Sequence, residues 1–161
     1  MTKKVFLSFH YKEDNWRVQK IKQIGSIVSE PLLDSNAWET VKQKGEAAIK
    51  TWINSQMSDK DCLIVLIGKN TANRPWVEYE IKHAWDNNKA VLGINIHNLL
   101  DRNLLKTSKG PNPFSGFKVG DKQLTSLVHV YDPPYSQSKD VYNYISSNIE
   151  KWIAIAIADR N

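Results

Sequence analysis

At 161 residues, with 41% apolar and 24% charged side chains, the chain has enough material for one hydrophobic core, so 1–161 is read as a single domain. Its net charge of +5 comes from basic residues interleaved with acids, and the clusters Lys42/Lys44 and Lys106/Lys109 lack the aromatic alternation of a base-stacking surface, which argues against nucleic-acid binding. One cysteine, Cys62, excludes a disulfide framework and a cysteine metal site; with no signal-like start and no apolar run of bilayer length, a cytoplasmic protein without membrane contact is expected.

After Met-Thr-Lys-Lys the chain runs directly into a strand. Residues 13–28 carry Trp16, Ile21, Ile24 and Val28 as the inward stripe of an amphipathic helix that closes before Pro31. A short second strand is expected at 31–34. Residues 45–57 place Ala48, Ile49, Trp52, Ile53 and Met57 at helical spacing. The run 61–67, apolar and rich in β-branched residues, closes at Gly68 and suits a parallel strand covered on both faces, with Cys62 as a packed thiol. Asn73 is expected to cap the next helix, Pro75 to sit at an early helical position, and Trp85 to Asn88 to end it. At about 100° per residue, Val77, Ile81, Ala84 and Trp85 face inward. Trp76, Glu80 and His83 then share one shoulder and Glu78 falls on the other, and periodicity does not choose between the two glutamates. The long irregular segment 98–126, with Phe114 and Phe117 to pack on the body, is a candidate lid or assembly surface. A last strand at 127–131 and a closing helix at 139–158, with Val141, Ile145, Ile149, Trp152 and Ala156 inward, complete the chain. Strands alternating with helices imply an α/β fold with a doubly wound parallel sheet.

The order of strand, short polar loop and Trp76-x-x-x-Glu80 resembles the catalytic helix of Toll/interleukin-1 receptor (TIR) domains that cleave NAD+. Residues 3–11, ending Phe9-His10-Tyr11, look like the first TIR strand and its loop, and residues 89–97 like the fourth strand. Together with Ser108-Lys-Gly-Pro-Asn-Pro-Phe114, these segments are similar in particular to the ThsB group of Thoeris antiphage defence proteins. No match extends beyond about Asp132. The resemblance implies a flavodoxin-like, five-stranded TIR fold, NAD+ as substrate with no bound cofactor, and Glu80 as the essential catalytic residue. It further implies self-association, an effector protein reached through a small-molecule product, and a phage-derived trigger. The loop from Asp34 to Lys44 corresponds in order to the TIR loop that flanks the nucleotide site.

In open parallel sheets, ligands bind beyond the carboxyl ends of strands where the strand order reverses. With the order 2-1-3-4-5, Phe9, His10 and Tyr11 stand across from the helix of Glu80, and Asp34 and Trp38 reach the rim. Phe9, His10, Tyr11, Asp34, Trp38 and Trp76 are therefore the expected substrate-binding residues. Each also has a structural reading: His10 as a cap in its loop, Trp76 as packing for the helix start, Asp34 as the organiser of its own turn. His83, His97 and His129 fit no metal-ligand spacing, so no metal is expected. Gly-x-Gly-x-x-Gly, a P-loop and a nucleophile elbow are all absent from the sequence. Two other readings stand beside this one: a noncatalytic TIR module acting by homotypic assembly, and a nucleoside deoxyribosyltransferase-like enzyme, which shares the glutamate and the N-glycosidic chemistry.

Overall fold

The protein is described here by a computed structural model covering residues 2–30 and 40–161. Five parallel strands form the main sheet: β1 (Lys3–Ser8), β2 (Ile27–Ser29), β3 (Cys62–Ile67), β4 (Ala90–Asn95) and β7 (Val130–Tyr131), in the order β2-β1-β3-β4-β7. This is the flavodoxin-like arrangement expected, and it reverses direction between β1 and β3. A two-residue hairpin, β5 (Lys118–Val119) and β6 (Lys122–Gln123), lies in the long segment before β7.

Strand alternation divides the core into two layers. Val5 and Leu7 of β1, Cys62, Ile64 and Leu66 of β3, and Leu92 and Ile94 of β4 pack with helices α1 (Tyr11–Lys22) and α4 (Ser138–Arg160). Phe6, Leu63, Val65, Ile67 and Val91 face the other way, toward α2 (Glu46–Met57) and α3 (Pro75–Asp86). All six residues of β3 are buried, as a central strand with helices on both faces requires. Each large apolar side chain so enclosed contributes about 1.5–3 kcal/mol. No helix of the described residues is long and apolar enough to cross a membrane.

Four elements differ from expectation. The first helix ends at Lys22; residues 27–29 form β2, paired in register Lys3↔Ile27 to Val5↔Ser29, so the second strand precedes the expected 31–34, which lies outside the described residues. Trp16 and Val28 are consequently exposed, at 46% and 54%, and the inner face of α1 carries Asp14, Arg17, Val18 and Ile21. Arg17 explains this polar face. It pairs with Asp14 at 2.8 Å and donates to the carbonyls of Leu99 (2.7 Å) and Leu105 (2.9 Å), fastening the long segment to the body.

Asn73 does not cap α3. Pro75 holds the first helical position and keeps its predecessor extended, so Arg74 (φ −81°, ψ 125°) becomes the capping residue, and Asn73 takes a left-handed turn at φ 67°. The last strand is Val130–Tyr131 rather than 127–131, because a 3₁₀ turn at Leu124–Ser126, anchored by buried Leu124, occupies the approach to it.

The segment 98–126 docks on the body through buried Leu99, Phe114 and Leu124, while Leu104 and Leu105 stay exposed. Phe114 is fully buried, and a Cβ on Gly93 of β4 would stand 3.0 Å from its ring. Gly110 comes so close to the end of β3 that a Cβ there would lie 2.1 Å from the Gly68 carbonyl oxygen. The segment thus covers the carboxyl end of β3.

Candidate active site

The site is built where β1 ends and α3 passes over the sheet. Val77, Ile81 and Ala84 anchor α3 in the core, while Glu78 is exposed. That rotation turns Glu80 toward the strand. The two faces of α3 therefore separate the glutamates that periodicity alone left equal.

Ser8, the last residue of β1 and buried, donates its hydroxyl to Glu80 Oε1 at 2.6 Å. The Glu80 side chain is half-buried, with protein crowded around its carboxyl. Burial raises its pKa to about 8; the Ser8 hydrogen bond opposes the rise, and the charge of Glu30 adds to it. A free domain at neutral pH therefore holds Glu80 mostly protonated, whereas a cation bound beside it would draw the carboxyl into its charged form. Such a group is poised to respond to positive charge.

Beyond β1 the chain turns through Phe9 and His10 into α1. The rings of Phe9 and Tyr11 stand 6.0 Å apart, tilted by 32°, and Phe9 packs against the α1/α4 layer. His10 is the N-cap of α1: its Nδ1 accepts from the Glu13 amide at 3.1 Å. One ring nitrogen is thereby committed to structure, and Nε2 remains for any other role. Trp76 meets Tyr79 edge to face at 5.8 Å and lines a groove of about 490 Å³ between α2 and α3, with Glu46, Lys50, Lys82 and Phe117. It also packs against the core layer beneath α2 and α3. Asp34 and Trp38 lie outside the described residues. Among the described residues no group of three or more His, Cys, Asp or Glu side chains could hold a metal ion.

Two residues of this region went unnoticed in the sequence. Ser8 had a visible signal, a single hydroxyl in the apolar run Val5-Phe-Leu-Ser-Phe9. Glu30 had a weaker one, an acid directly after the short apolar stretch Ile27-Val-Ser29.

The sequence model of the family described as "Thoeris protein ThsB, TIR-like domain" matches residues 6–101. The chain belongs to this family. The matched part of the TIR-like domain holds Ser8, Phe9, His10, Tyr11 and Glu80, and it ends before β7 and α4. The domain is also similar to a protein of Bacillus cereus (strain MSX-D12) named "Putative cyclic ADP-D-ribose synthase ThsB1", with 36% identity over 142 residues, covering 82% of this chain and 71% of that protein.

Proposed function

We propose that this TIR-like domain cleaves NAD+ to nicotinamide and an ADP-ribose-derived signal, a cyclic isomer of ADP-ribose, with Glu80 as the catalytic residue. The observation that carries this reading is the half-buried Glu80 carboxyl, held by Ser8 at the switch point of the sheet. The name of the Bacillus cereus relative supports the product class.

The chemistry asks little beyond one carboxylate. The nicotinamide of NAD+ is already cationic, so the bond between its ring nitrogen and ribose C1′ can break without a general acid. Its electron pair goes to the ring nitrogen, nicotinamide leaves neutral, and the positive charge passes to the sugar. Glu80, ionised by the incoming cation, stabilises that oxocarbenium-like state and accepts hydrogen bonds from ribose hydroxyls. Attack on C1′ by a nitrogen or oxygen of the same molecule closes a ring; attack by water gives ADP-ribose and releases a proton. Phe9, His10 and Tyr11, at the mouth opposite α3, serve to hold the flat bases, with Asp34, Trp38 and Trp76 as rim contacts. The product activates a separate effector in antiphage defence, in the cytoplasm, and activity follows self-association or a phage-derived trigger. The two packed layers around one sheet support reading 1–161 as one domain.

Incubation of concentrated protein with NAD+, followed by chromatography and mass analysis, tests the reading. Nicotinamide should appear with a product of ADP-ribose composition less one water, and Glu80→Gln should reduce its rate at least about 10²-fold by removing the anion at nearly constant shape. No release of nicotinamide under any assembly condition would leave a noncatalytic module, and release of free base from deoxynucleosides with NAD+ intact would indicate a transferase.

A further inference from the structure

Glu30 is a second buried carboxyl beside the site, and the mechanism above makes no use of it. It follows β2 directly and is only 4% exposed. The pairing of β1 with β2 ends at Val5↔Ser29. Leu7, two residues further along β1, presents its amide to the Glu30 side chain instead, at 3.1 Å from Oε1 and 3.3 Å from Oε2. Capping one N–H needs only a neutral carbonyl, and a glutamine would supply it without the cost of burying a charge. The ammonium of Lys22 donates to the backbone oxygen of Glu30 and to the Ser29 hydroxyl (2.8 Å). The next residue of β1 after Leu7 is Ser8, which holds Glu80. Two carboxyls are thus tethered to consecutive residues of one strand.

We propose that Glu30 is a positioning residue that acts on Glu80 through its charge, adding to the cost of ionising a Glu80 carboxyl that burial already disfavours, until a cationic substrate offsets it. The catalytic half of this statement rests on the reading of Glu80 as the working anion. Burial pushes the Glu30 pKa up to about 7, against the opposing hydrogen bonds from its own amide and that of Leu7, and burial likewise pushes Glu80 up to about 8. The charged groups acting on the pair, among the described residues, are Lys22 from α1 and Lys60 from the turn before β3; both favour ionised Glu30. Coupling between two such sites is mutual, because each charge raises the ionisation cost of the other.

The test is a carbon-13 NMR titration of the glutamate carboxyls in wild-type protein, Glu30→Gln and Glu80→Gln, with circular dichroism to verify the fold. Glu30→Gln retains an acceptor for the Leu7 amide and removes the charge. The Glu80 midpoint should then fall by about half a pH unit or more, and the Glu30 midpoint should fall similarly in Glu80→Gln. In the NAD+ assay, the acid limb of the pH–rate profile should move to lower pH in Glu30→Gln, raising activity near pH 7. A purely structural cap would change stability and leave that profile in place. Midpoints that stay fixed in both folded variants overturn the proposal even if NAD+ is cleaved. Midpoints that move while no NAD+ is cleaved uphold the coupling and remove the enzymatic reading. If Glu30→Gln fails to fold, the Glu30 midpoint in Glu80→Gln decides alone.

Discussion

The carboxyl of Glu80 carries a cost that the fold must bear. Its pKa rises from an ordinary 4.5 to about 8 on folding. Between these values the folded state retains a proton that the unfolded chain has released. Stability from this group is therefore fully present below pH 4.5 and is lost as pH rises through 8. Glu30 acts in the same direction up to about 7. Glu80→Gln changes no shape, yet it should be more stable than wild type at pH 8 by roughly 4 kcal/mol, and close to wild type at pH 4.5. Urea unfolding at the two pH values measures the difference. A variant whose stability falls with pH as steeply as that of wild type would mean that Glu80 is not held in its neutral form.

At the scale of elements, the carboxyl end of β3 is sandwiched between α1 and the long segment. A Cβ on Gly68 would lie 2.2 Å from Asp14 Oδ2, and one on Gly110 would lie 2.1 Å from the Gly68 oxygen. At Gly110 backbone meets backbone, so no side chain can yield. Gly110→Ala must displace the segment, at about 1–3 kcal/mol. Its Tm should drop by roughly 2–4 °C per kcal/mol. Proteolysis within 98–126 should quicken, while Gly25→Ala, with open space around its Cβ position and no positive φ, should leave that cleavage rate nearly unchanged. Equal protease resistance in Gly110→Ala and wild type would show that the segment is not docked through this contact.

At the scale of the whole molecule, a ring-closing reaction needs its intermediate shielded from water. The contact of Ser8 with Glu80 lies at one end of a single small sheet, and the proposed reaction calls for a neighbouring copy of the chain to close that end. Specific activity should accordingly rise as protein concentration rises, or appear only with an infection-derived trigger. Constant specific activity across a wide dilution series, from a protein that stays monomeric by light scattering with NAD+ present, would exclude this requirement.

The local pattern of the chain was enough to place β3, α2, α3 and the closing helix, because burial on both faces or along one stripe is written into residues close in sequence. The Trp76-x-x-x-Glu80 resemblance likewise singled out Glu80. The course of α1 was not legible, since an inward Arg17 and Asp14 break the hydrophobic stripe and make sense only once the carbonyls of Leu99 and Leu105 arrive to accept from Arg17. Nor was the choice of Glu80 over Glu78 a matter of period, for it depends on which shoulder of α3 meets β1. Ser8 and Glu80 lie 72 residues apart, and Leu7 and Glu30 lie 23 apart. Local propensity carries no record of such pairings. Only the packing of β1 between β2 and β3, under α3, brings the two carboxyls to one strand end.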